Sequence, residues 1–381
     1  MKSVTTTLRH GLTIVLMLAA MTAAKQTLAG GTASGTVVSN RATIQYDVAA
    51  ITQPIIESSP TGNSTPGAGA GGDTTFVVDN KVDLTVAEIN SAATPVNPGQ
   101  AAAVTAFTVT NTGNTAQGYA LTAANLTSAD AAVHGNADTD LDGNNLRVRV
   151  DANGNGTYDP ANDTAAVIDT LAPDASVTVF VLIDVPIGAT NLDVANVRLT
   201  AVTHTAGTNA TSPTVETAGA DDPNVVDVVF ADANGNDGLE FDDDGYVVSS
   251  ADLNISKTST VISDPFNGTT NPKAIPGAVI EYAITIVNTG AVDAANVLVT
   301  DVLSGDVTLQ TGQYNGNASD IQIEIGNVPA LQYCVADNAD LDGDVCGLSG
   351  GTLEVNPTAG LTVGTTAADD TVRVLFRATI N

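Results

Sequence analysis

One strand and its turn occur twice in this chain. Phe107-Thr-Val-Thr-Asn111-Thr-Gly113 and Ile284-Thr-Ile-Val-Asn288-Thr-Gly290 each end an apolar run at an Asn-Thr-Gly turn. An Asp-Leu pair (Asp83-Leu84, Asp252-Leu253) and then a Pro-Gly pair (Pro98-Gly99, Pro276-Gly277) precede each copy. Downstream, Val177, Val179, Val181 and Ile183 alternate as Val372, Val374, Phe376 and Ala378 do. Period two sends alternate side chains to opposite faces, so these runs predict half-buried strands. Asp outnumbers Glu by 35 to 7. Asp favours turns and caps whereas Glu builds helices, which puts the acid in loops and disfavours a helical bundle.

Turn signals spaced by about ten residues within each copy select antiparallel sandwiches. The expected fold class is all-β: two tandem antiparallel immunoglobulin-like β-sandwiches, residues 76–250 and 251–381, with an extra amino-terminal strand. That strand is expected over Thr36–Val48, where Ala42, Ile44, Tyr46 and Val48 alternate with Arg41, Thr43, Gln45 and Asp47. Ser58–Gly72 has no hydrophobic period and is rich in Gly, Pro and Ser, the composition of a linker or a long loop. Residues 30–75 therefore form a strand-and-linker region.

Lys2 and Arg9 precede an apolar stretch from Leu12 to Ala20, and Thr27-Leu28-Ala29 has small residues where a signal peptidase reads. Residues 1–29 are expected to be a signal peptide cleaved after Ala29. The mature chain is then secreted or at a cell surface, without an integral membrane segment. Its loss removes three cations and takes the formal charge from −30 to −33. So acidic a surface excludes nucleic acid as a partner, because phosphate binding needs clustered Lys and Arg. Export also predicts that Cys334 and Cys346, the two cysteines, form a disulfide.

Ala251-Asp-Leu-Asn-Ile-Ser-Lys-Thr258, Pro276 through Gly290, and Ala294 through Leu303 resemble the bacterial surface-protein repeat known as domain of unknown function eleven, or conserved repeat domain. The match is specific over 252–303 and weaker beyond. Residues 76–250, with TFVVDNKVDLTV, resemble the module that often precedes that repeat in exported proteins. The resemblance implies an immunoglobulin-like sandwich at a cell surface or in a matrix, and brings no catalytic residues with it. The second copy departs from the family pattern by reaching Asn381 without a closing strand. An unpaired edge is therefore expected beside Val372–Ile380, open to Thr36–Val48 from its own or a neighbouring chain, or else Thr36–Val48 pads the first sandwich.

Four Asp- and Asn-rich loops carry the candidate chemistry. Asp151, Asn153, Asn155, Thr157 and Asp159 occupy positions 1, 3, 5, 7 and 9 of a calcium-type loop, with Gly156 at the sharp turn and Asp163 just beyond position 12. Asp138, Asp140 and Asp142 repeat the first half, and Asn338, Asp340 and Asp342 echo it between the cysteines. Asp232, Asn234, Asn236 and Glu240 form the fourth. Oxygen donors without His or thiolate match a hard cation, so the expected cofactor is Ca and not zinc. Four such ions would leave the mature chain strongly acidic, which suits a hydrated surface in a salty medium.

Enzyme signatures are thin. His134 and His204 lie in no nucleophile-base pattern and read as surface residues, and HExxH, GxSxG and P-loop motifs are missing from the sequence. Lys257 reads as a solvent-facing residue of its strand. The function expected is a secreted, non-enzymatic structural or adhesive protein of the cell surface or matrix, with cell-surface or matrix components or further copies of itself as partners. The rival reading is a carbohydrate-binding module or hydrolase on the same scaffold, which would place two carboxylates in a concave cluster beside Tyr rings.

Overall fold

A computed structural model describes residues 31–326, 330–336, 346–355, 361–366 and 369–381. The expected signal peptide and the Asn338, Asp340 and Asp342 loop lie outside the described residues. All regular structure within them is β-strand.

In the first body a four-stranded sheet runs in the order Asn144–Val150, Ser176–Asp184, Ala103–Asn111, Leu84–Glu88. A five-stranded sheet runs Val167–Leu171, Gln117–Asn125, Val194–Thr205, Leu239–Val248, Thr94–Val96. Thr94–Val96 pairs in parallel and the other strands of these two sheets pair antiparallel. Ala103–Asn111 alternates buried and half-buried residues along its whole length, as the period-two pattern requires. Phe107, Val109, Val179 and Val181 from one sheet pack with Tyr119, Leu199 and Tyr246 from the other. The Tyr246 hydroxyl, inside this core, donates to the Val181 carbonyl at 2.8 Å and so satisfies itself across the two sheets.

The second body has a six-stranded sheet. Its main order is Leu253–Ser263, Val279–Asn288, Thr371–Ile380, Ile321–Ile325, Ala330–Cys334, with Val307–Leu309 also pairing with Thr371–Ile380. Facing it is a three-stranded sheet of Val299–Val302, Thr352–Val355 and Cys346–Ser349. Ile284, Ile323, Val374 and Phe376 pack with Val299, Leu353 and Val355 between the two. Cys334 and Cys346 form a disulfide, with Cα atoms 6.0 Å apart, which ties the last strand of the larger sheet to the smaller one.

The two Asn-Thr-Gly turns are built alike. Asn111 Nδ2 donates to the carbonyls of Thr115 and Leu171, and its Oδ1 accepts the Gly113 N–H. Asn288 Nδ2 donates to the carbonyls of Val292 and Val363, and its Oδ1 accepts the N–H groups of Gly290 and Asp252. Both side chains are buried. Glycine is required at the third position because a Cβ there would strike backbone, Lys81 O at Gly113 and Ser250 O at Gly290.

Two expectations are corrected. The edge beside Val372–Ile380 is not vacant: Val279–Val287 pairs along one side, and Ile321–Ile325 with Val307–Leu309 fills the other. A strand flanked on both sides has no room for a donor. Thr36–Val48 is not one half-buried strand. Val37–Asn40 pairs with Thr74–Val77 of the first body, while Thr43–Ile44 and Asp47–Val48 belong to a small hairpin closed by Ala49 and Ala50 at φ 50° and 63°. With no sheet beneath this arm, its alternating apolar residues have nothing to bury against. Of the two readings of Ser58–Gly72, the hydrogen bonds fit the long loop, which closes on itself. Gly72 N–H donates to the Ser58 carbonyl, and the Glu57 carboxylate accepts Gly69 and Gly71 N–H groups and pairs with Arg41.

At the end of the strand Ser176–Asp184, the Asp184 carboxyl is lowered to about 2, first by the Asn145 side-chain amide at 2.6 Å, then by the Ala102 N–H and Arg147. A depressed value in the folded state means that Asp184 stabilises fully above about pH 4 and loses that contribution as pH falls towards 2. Melting temperatures measured across that window should fall more steeply for the wild type than for Asp184→Asn. Parallel curves would contradict this.

Candidate functional site

The Asp151–Asp163 loop, which joins Asn144–Val150 to Val167–Leu171, winds around one buried carboxylate. Asp151 Oδ1 accepts the N–H groups of Gly154 at 2.8 Å and Asn155 at 3.3 Å, and Oδ2 accepts that of Gly156 at 2.8 Å. Gly154 and Gly156 sit at φ 70° and 73°, a backbone that glycine adopts freely and that lets the loop close this tightly. Asn153 and Asn155 accept the N–H groups of Asn155 and Thr157, and Asp159 that of Ala161. Asp163, fully buried, accepts those of Ala152 and Asp159. Asp151 Oδ2 and both Asp163 oxygens, each holding one donor, keep a lone pair for a cation.

The other loops turn their acids onto nearby backbone. Asp138 is buried and accepts the N–H groups of Asp140 and Asn196. Asp140 is held below the usual carboxylate range by the Ser128 N–H and then its hydroxyl, while Asp142 is exposed. Asp232 accepts the Asp237 and Gly238 N–H groups. Glu240 gives both oxygens to Asn234, through its N–H and its side-chain amide, and Asn236 takes a left-handed backbone at φ 54°.

A site without any sequence motif lies where the two sheets of the first body meet. Glu88, His134 and Asp244 bring ligand atoms within 4.8 Å of one another. Asp244 is fully buried: Thr105 Oγ1 and Asn90 Nδ2 donate to Oδ2, Gly245 N–H donates to Oδ1, and His134 Nε2 stands 3.0 Å from Oδ1. Burial first, and then Asp244 and Asp242, push the Glu88 carboxyl up against the opposing pull of His134. Neither histidine is the surface residue that was expected. His134 is 14 % exposed in its side chain, and His204 is buried with Nδ1 against the Val202 carbonyl. No local pattern announces this site because its residues are distant in sequence.

The second body offers an edge. Leu253–Ser263 ends the six-stranded sheet, and its outer side pairs with no strand among the described residues. Its first eight residues are exposed, with Ile255 at 66 %. Lys257 on this strand does not simply project to solvent. Its ammonium sits 4.7 Å over the Tyr282 ring and pairs with Asp301.

No protein-family model matches the chain, and no curated protein matches it. Several solved structures are similar to it at low overlap. The C-terminal domain of a Streptococcus pyogenes antigen I/II-family protein is 8 % identical, with 78 % of this chain and 91 % of that one covered at a TM-score of 0.30. A Pseudomonas aeruginosa tip adhesin is 10 % identical, with 79 % and 88 % covered at 0.26. The collagen binding domain of an Erysipelothrix rhusiopathiae surface protein is 12 % identical, with 78 % and 81 % covered at 0.21. At these scores the likeness carries neither fold family nor function. Among the described residues no helix is long and apolar enough to cross a membrane.

Proposed function

We infer that this protein is an exported, non-enzymatic structural or adhesive component of a cell surface or extracellular matrix. The observation that carries the reading is the open edge Leu253–Ser263, eleven residues long and exposed over most of its length. Natural proteins usually cover or charge such an edge, because its free N–H and C=O groups template another strand. Left open beside exposed Leu253 and Ile255, it suits the addition of a strand from a partner polypeptide, a second copy included. Beads coated with the mature protein should cluster in moderate salt, which screens the acidic surfaces. Ile255→Lys, an exposed change that charges the edge, should abolish clustering without lowering the melting temperature. Equal clustering by both proteins would remove this edge from the account.

Calcium fits the same reading as a rigidifier of the Asp151–Asp163 loop, whose donors are all oxygen. At a hundredfold excess over its dissociation constant, calcium should stabilise the fold by about 2.7 kcal/mol. Asp151→Ala should remove more of that shift than Asp232→Ala, because the Asp151 loop has the fuller ligand spacing. Melting curves with calcium and then chelator decide it, and curves that ignore both would contradict the proposal.

A further inference from the structure

Glu88 ends the edge strand of the four-stranded sheet, Asp244 lies on Leu239–Val248 of the five-stranded sheet, and His134 comes from the loop that follows Gln117–Asn125. Hydrogen bonding explains only part of this arrangement. Asp244 is satisfied on both oxygens, but Glu88 Oε2 is buried with no hydrogen-bond partner. A buried carboxylate oxygen without a partner is expensive, and here it lies beside an imidazole and a second carboxylate. His134 is also held at φ 50°, an uncommon backbone for a non-glycine residue, which persists only where the surroundings fix it.

We propose that Glu88, His134 and Asp244 hold one zinc ion that staples the two sheets of the first body together. Two ligands bound to zinc at about 2.1 Å stand about 3.0–3.4 Å apart for angles between a right angle and the tetrahedral one. His134 Nε2 and Asp244 Oδ1 are already 3.0 Å apart. The ion therefore takes the place of the proton they share, which leaves to solvent, and the spacing of the two ligand atoms is already that of a zinc site. Glu88 supplies the third ligand and gains the partner it lacks. One imidazole with two carboxylates suits zinc, whereas calcium prefers oxygen alone, so this site differs in chemistry from the Asp-rich loops. It does not depend on the adhesive reading.

The test is calorimetric titration of the chelator-treated mature protein with zinc chloride, and separately with calcium chloride. One zinc per chain is expected with micromolar or tighter affinity. His134→Ala and Glu88→Gln should each weaken it at least about 100-fold, and His204→Ala should bind as the wild type does. Circular dichroism checks that the variants are folded. Nitrogen NMR of the wild-type imidazoles gives a readout that needs no variant, with the His134 Nε2 signal moving on zinc addition. The proposal is overturned if zinc does not saturate, if zinc binding survives both His134→Ala and Glu88→Gln, or if the His134 signal stays in place.

Discussion

Asn288→Ala is expected to destabilise the protein by about 3–5 kcal/mol, and Asn111→Ala by a similar amount. Each asparagine is a small hub. Truncating Asn288 orphans the carbonyls of Val292 and Val363 and the N–H groups of Gly290 and Asp252 at once, in a place only 4 % exposed. At Asn111 the orphans are the carbonyls of Thr115 and Leu171 and the Gly113 N–H, at a side chain with no exposure. An unpaired buried group costs about 1–3 kcal/mol, so several together dominate any gain from a smaller side chain. Asp would be no remedy, because a carboxylate cannot donate to the two carbonyls. Gly290→Ala should be comparably damaging for a steric reason, since its Cβ would meet Ser250 O and Asp252 N. Denaturant unfolding measures these losses. A change below about 1 kcal/mol at both asparagines would mean that the turns do not hold the strands in place.

Reduction of the Cys334–Cys346 disulfide should cost about 3 kcal/mol, chiefly by releasing the unfolded chain from a closed loop. The bond spans 12 positions and links Ala330–Cys334 to Cys346–Ser349, so it joins the two sheets that enclose Phe376 and Leu353. Cys334→Ala with Cys346→Ala should reproduce the reduced protein, and reductant should then have no further effect. Intact mass of the non-reduced wild type should be two hydrogens lower than that of the reduced protein. Two thiols open to alkylation before reduction would contradict the prediction.

Where a pattern was local, the sequence spoke clearly. The Asn-Thr-Gly turns and the alternating runs Val177–Ile183 and Val372–Ala378 were legible because neighbouring residues dictate them, and the disulfide because two cysteines in an exported chain leave one pairing. Thr36–Val48 misled because alternation says that a strand would be half-buried if a sheet lay beneath it, and here Ile44, Tyr46 and Val48 have none. The vacant edge misled because strand order is a long-range property: Val307–Leu309 and Ile321–Ile325 return to flank Thr371–Ile380, and no residue near Asn381 reports it. The Glu88–His134–Asp244 cluster was invisible for the same reason, with His134 and Asp244 separated by 110 positions.

The claim that the protein works outside the cell is tested most directly by where the native chain resides and how it begins. Intact producing cells are treated with protease, and the protein is followed in the surface, medium and cytoplasmic fractions, with its amino terminus sequenced. The account predicts a chain starting at Gly30, recovered from the surface or medium with its disulfide formed and lost on protease treatment of intact cells. A chain that keeps Met1, stays in the cytoplasmic fraction and is protected from protease would contradict it.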